Sequence, residues 1–211
     1  MTLSAIRTMV RDLIDSPSND DFLSDTLLNR MINTSYKLHV IKIQKKFAGY
    51  YLKQSTITLV ASTYLYDLPS DAVAVSDIYN AKGDSLMAGN KREFQTVDNS
   101  GEPAYYNFFG NHVWFEPVPD AAGTLTINYS YIPADLASNN ETPDFPIADC
   151  AQLVAIDVAI QCKIRDEASA GALKGMYNDL ERNVLSLLSV RNLRETRRVK
   201  GGAANFGAND I

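Results

Sequence analysis

Two cysteines, two histidines and one tryptophan in 211 residues leave little material for several common chemistries. His39 and His112 have no Cys, His or Asp at metal-ligand spacing, so no metal site and no cofactor is expected. Cys150 and Cys162 fall in one predicted helix, where twelve residues at ~1.5 Å each put them roughly 18 Å apart. A disulfide reaches no further than ~7 Å, so both read as small buried apolar residues of a chain that folds in a reducing compartment. There is no Gly-x-Ser-x-Gly elbow and no phosphate-binding glycine loop ahead of a helix. The glycine cluster at 201–207 follows a helix instead, where it acts as a stop signal. No run approaches the roughly 18–20 apolar residues of a membrane span. The first residues lack the basic, apolar and small-residue succession of a secretory leader, so none is expected. The Asn-x-Ser/Thr triplets at Asn33, Asn128 and Asn140 then read as chance.

Basic side chains are scarce in the middle. Residues 61–150 carry thirteen acidic groups against Lys82, Lys91 and Arg92, a balance of −10. The chain as a whole stands at −5, which leaves +5 for its flanks. Such a split bears on partners and orientation rather than on fold. The apolar content of 45% and charged content of 21% are those of an ordinary folded protein.

Helical spacing at both ends brackets a section of period two. Leu3, Ile6, Met9, Val10 and Leu13 predict a helix over 2–14, with Thr2 or Ser4 to cap it. The cluster at 15–21 breaks it. Ser24 and Asp25 cap a second helix to about residue 47, with Leu27, Leu28, Met31, Ile32, Leu38 and Ile41 as a stripe interrupted by Ser35. Lys37, Lys42, Lys45 and Lys46 crowd its last turns, where the negative end of the helix dipole accounts for them better than nucleic-acid contact does. Asp20-Asp21 and Asp149 stand at helix starts and read as caps.

Strands are predicted over 55–60, 63–68, 72–79, 104–109, 112–117 and 124–131, while 86–97 has no clear period. Residues 133–146 form an irregular link. Helices return over 147–165 and 168–198. Ala151, Ala155 and Ala159 give the first of these a small-residue face suited to close approach. Leu173, Met176, Tyr177, Leu180, Val184, Leu187 and Leu188 form the stripe of the second.

Between 104 and 131 the alternation is clearest. Gly110-Asn111 between two aromatic-rich runs predicts a two-residue hairpin turn. Pairing Phe109 with His112 puts Tyr106, Phe108, Val113 and Phe115 on one face. The other face holds Tyr105, Asn107, Phe109, His112, Trp114 and Glu116. In the next run Leu125, Ile127, Tyr129 and Tyr131 alternate with polar residues, one face buried and one wet. The set Tyr105, Phe109 and Trp114 suits stacking on sugars or bases, or packing on a second sheet or a neighbouring subunit. The packing reading is preferred.

The fold class that follows is α+β. Residues 1–50 and 147–198 form a four-helix bundle, and 51–146 an inserted antiparallel β-sandwich or barrel. A C-terminal arm at 199–211 is too poor in apolar residues to pack alone. Catalysis finds no convergent groups, and no enzymatic activity is expected. A carbohydrate- or receptor-binding β module of a tail component is the alternative. Scattered carboxylates leave a glycan-cleaving enzyme as a third reading, since such pairs need not be neighbours in sequence.

The order of several short motifs adds a resemblance. Ile32-Asn33 lies in the second helix, followed by Tyr66-Asp67-Leu68-Pro69 and Gly101-Glu102-Pro103. Then come the hairpin, Phe115-Glu116-Pro117-Val118-Pro119-Asp120, the strand at 125–129, Pro133 and Leu136, and a closing helix pair. From about Leu3 to Leu188 the chain resembles the head-to-tail adaptor (connector) proteins of tailed bacteriophages. The resemblance implies a structural virion protein without catalysis, assembled in the host bacterial cytoplasm. It implies a homo-oligomeric ring, commonly a dodecamer, docked beneath the portal protein and offering a platform to tail or neck proteins. DNA then passes through the lumen without specific binding. Arg191, Arg194, Arg197, Arg198, Lys200 and Phe206, outside the matched motifs, are the candidates for portal contact. Tyr105, Phe109 and Trp114 are the candidates for inter-subunit or tail-facing contact.

Overall fold

A computed structural model of the chain describes residues 1–16, 23–47, 49–89 and 99–196. Helices α1 (Leu3–Ile14) and α2 (Asp25–Lys46) open the chain, and α3 (Cys150–Arg165) and α4 (Gly171–Thr196) close the described part. Between them run β1 (Leu52–Leu59), β2 (Leu65–Asp67), β3 (Ala72–Tyr79), β4 (Met87–Ala88) and β5 (Ser100–Gly101). They are followed by β6 (Tyr105–Phe109), β7 (His112–Glu116), β8 (Val118–Pro119) and β9 (Gly123–Tyr131).

The caps are where the sequence puts them. Thr2 Oγ1 accepts from the Ala5 N–H at 3.2 Å and Ser24 Oγ from the Leu27 N–H at 3.3 Å. Asp149 is different: it occupies the N-cap position of α3 in a helical conformation, without a side-chain capping bond. The stripe of α2 is also shifted. Ser35 and His39 are buried beside Leu28, Ile32, Tyr36, Val40 and Ile43, whereas Leu38 is 57% exposed. The two polar side chains are tolerated inside because both are hydrogen-bonded, Ser35 to Asp157 and His39 to the Ser35 carbonyl and Tyr177.

Helix α3 is the hub of the helical part. It packs against α1, α2 and α4, and Ala151, Ala155 and Ala159 are all buried. Their missing side chains let the neighbouring backbones approach closely. Asn33 joins the returning link to α2 by bonding both ways with Leu136: its Nδ2 donates to the Leu136 carbonyl at 3.1 Å and its Oδ1 accepts the Leu136 N–H at 2.8 Å. A buried Arg11 donates to the Leu23 carbonyl and to Asp25, which also takes Arg7.

The strands form three sheets among the described residues, ordered β1-β9-β3, β2-β7-β6-β4 and β5-β8. None closes on itself, so the barrel form of the expected insert is not adopted. The short edge strands β2 and β4 leave the four-stranded sheet open. All pairings are antiparallel except β4 with β6 and β5 with β8. Ile57, Leu59, Ile78, Leu125, Ile127 and Tyr129 from the first sheet share one apolar cluster with Tyr106, Val113 and Phe115 from the second. A separate cluster holds the helices. Tyr51, just before β1, and Tyr131, at the end of β9, lie side by side, the Tyr131 N–H donating to the Tyr51 carbonyl at 3.0 Å.

Candidate partner-binding surfaces

The hairpin register is the expected one: Phe109 pairs with His112, Asn107 with Trp114 and Tyr105 with Glu116. Of the two turn residues only Gly110 takes a positive φ, 62°. That is the first central position, where a type II′ turn wants glycine. Paired residues share a face, so β7 and β6 turn Val113, Phe115 and Tyr106 inward. Phe108 belongs to that side but is exposed at the hairpin end.

Among the described residues no second sheet covers the opposite face. Phe109 is 68% exposed and Tyr105 is exposed too, while Trp114 is half-buried with Tyr64 against it at 4.9 Å between ring centroids. Of the two packing partners expected for this face, a second sheet is not found among the described residues. Two members were not legible in the sequence. Met87 joins through its pairing with Tyr105 and is 59% exposed, and Tyr64 joins through its contact with Trp114. Residue 87 sits in the stretch without a clear period, which hid it. At the turn His112 Nδ1 lies 2.6 Å from Asp67.

Helix α4 carries the second surface. Leu173, Val184 and Leu188 are buried, but Met176 and Leu187, expected in the same stripe, are exposed, and so is Val190. Seven apolar residues span more of the circumference than one neighbour covers. That breadth was the signal for two stripes rather than one. Arg191 and Arg194 lie on the last turns of this helix. Arg197, Arg198, Lys200 and Phe206 lie outside the described residues.

Where α4 meets α2 and α3, polar groups replace the apolar seam. His39 Nδ1 lies 2.8 Å from the Ser35 carbonyl. A carbonyl only accepts, so Nδ1 carries the proton and Nε2 receives the Tyr177 hydroxyl at 3.1 Å. Lys42 donates to Tyr177 at 3.2 Å and pairs with Glu181. Ser35 Oγ donates to Asp157 at 2.6 Å, and Gln161 donates to the same carboxylate oxygen. Ser, His and Asp thus meet in space, but Asp157 holds the serine and not the imidazole. Ser35 and His39 are both buried. A triad orients the base with its acid and leaves the nucleophile open, so this is a structural lock between three helices.

Burial is the main reason the His39 pKa lies below its usual 6.5, helped by Lys42 and opposed by the Ser35 carbonyl, Asp157 and Glu181. A base with a depressed folded pKa is favoured neutral. Its contribution is complete above pH 6.5 and is lost as pH falls from there through the folded value. Unfolding by urea at pH 8, 6.5 and 5 is expected to show stability declining across the acid side. His39→Gln should flatten that decline, and an unchanged slope in the variant would remove His39 from the account.

Among the described residues no helix is long and apolar enough to cross a membrane. The family model of the SU10 adaptor protein matches residues 1–202. The chain belongs to the SU10 adaptor protein family. Among curated proteins nothing matches it. As a phage structural adaptor, this protein works by contact with other virion proteins. The match also extends past Leu188 through the basic end of α4, which the motif resemblance left out.

Proposed function

We propose that this SU10 adaptor assembles as a homo-oligomeric ring, a dodecamer, beneath the portal, where it extends the DNA channel and joins capsid to tail. The observation that carries this reading is the uncovered sheet face bearing Tyr105 and Phe109, apolar area that a lone chain leaves in water. Within the ring, helices 1–50 and 147–198 act as a rigid frame and the β insert at 51–146 as the projecting element. Acidic side chains of the insert line the lumen and repel DNA, so that the duplex slides without sticking. A ring structure with those carboxylates only on the outer wall would refute the lumen assignment.

The basic stretch from Arg191 to Lys200, with the tail to Ile211 and its Phe206, reaches into the portal. A chain truncated after Val190 is expected to keep its helical circular dichroism and its melting transition, and to lose binding to isolated portal rings. Normal binding by the truncated chain would sink the arm assignment.

A further inference from the structure

The two exposed apolar surfaces of this adaptor lie on different elements, and that decides how copies can meet. On α4, Met176, Leu187 and Val190 fall within about 60° of arc at 100° per residue, about 100° from the row of Leu173, Tyr177, Val184 and Leu188. On the insert, Met87, Tyr105 and Phe109 share the outer face of the four-stranded sheet. A two-fold contact would join each surface to itself. For the sheet face this brings together two copies of a segment carrying −10, which like charge disfavours. Joining the sheet face to α4 instead sets the acidic segment against a helix whose Lys174, Arg182, Arg191 and Arg194 outnumber Asp179, Glu181 and Glu195, so the like-charge penalty is absent. Contacts between two unlike surfaces are head-to-tail, and they close into a ring when the rotation allows.

We infer that the sheet face of one copy, at Met87, Tyr105 and Phe109, seats the α4 stripe of the next copy, at Met176, Leu187 and Val190. This rests on the ring reading above and specifies its repeating contact. Both surfaces are used once per copy, and a closed ring leaves neither exposed. A charge placed in either surface loses its water on assembly without gaining a partner, which breaks the contact.

The test uses the full chain with Phe109→Asp and, separately, Leu187→Asp. All substituted positions are exposed, and unchanged circular dichroism and melting check the fold. Met87→Asp and Val190→Asp serve as a second pair should either first variant misfold. Sedimentation is expected to show the oligomer for the unsubstituted protein, alone or with portal rings, and for each variant a single 23.3 kDa species alone and less than a full complement of bound copies with portal rings. Mixing the two variants in equal amounts is the decisive arm. Each retains one good surface, so the mixture forms a 1:1 dimer and stops there. Variants that assemble as well as the parent, or a mixture that stays monomeric while the parent assembles, would overturn the contact and leave the ring standing. A parent that stays monomeric both alone and with portal rings would overturn the ring reading itself, and the contact with it.

Discussion

Replacing Phe115 by alanine is expected to cost about 3–5 kcal/mol, and to spend that loss on the β insert alone. Phe115 is fully buried, 5.5 Å from Tyr66 between centroids, in the cluster that unites the β1-β9-β3 and β2-β7-β6-β4 sheets. No side chain of comparable volume stands ready to fill the void, since the surrounding Val113, Ile78 and Ile127 are already fully buried. The adjoining Trp114 is the only tryptophan, so its fluorescence reports the insert selectively. In urea, the fluorescence midpoint of Phe115→Ala should fall steeply while the helical signal at 222 nm keeps its own midpoint. Two midpoints falling together would mean that the chain unfolds as one cooperative body.

The second large effect belongs to the helical side. Tyr36→Ala is expected to cost about 3–5 kcal/mol, and Tyr36→Phe about 1–3. The ring lies edge-on to Phe145 at 5.0 Å, and its hydroxyl accepts the Asp144 N–H at 2.8 Å. Tyr36 is 1% exposed, and burial pushes its hydroxyl up to about 12, so it stays protonated at any pH where the protein is studied. Alanine removes ring and hydroxyl together; phenylalanine leaves only the Asp144 N–H without its acceptor. Circular dichroism at 222 nm against temperature separates the two. Equal losses from both variants would show that the hydroxyl, and not the ring, pins the returning link to α2.

Much of this architecture could be read before any coordinates. Capping residues and the 3.6 period located the helices, and Gly110-Asn111 with strict alternation located the hairpin and β9, because both are local properties of the chain. What stayed hidden depends on distant neighbours. Ser35 looked like a defect in an apolar stripe, yet it is buried because Asp157, far along the chain, receives its hydroxyl. Met176 and Leu187 looked like core because periodicity counts apolar residues and does not say how many neighbours will cover them. Met87 entered the sheet face only through a two-residue parallel pairing that has no sequence signature. The short motifs behind the family resemblance turn out to be joints: Asn33 clasps Leu136, and Gly101 pairs with Pro119. Joints of this kind depend on one residue at one place, so they show in the sequence as order and spacing rather than as composition.

Tyr51 and Tyr131 bring the two ends of the strand section together. Because β1 pairs along its length with β9, the stretch from Tyr51 to Tyr131 has ends that already touch, as an exchangeable cassette would need. Cutting it out and bridging the gap with a short turn closes the frame with almost no stretch of chain to span. A lineage could therefore exchange the cassette and change the neighbour it recognises, while the helices keep their own packing and the same place in the particle.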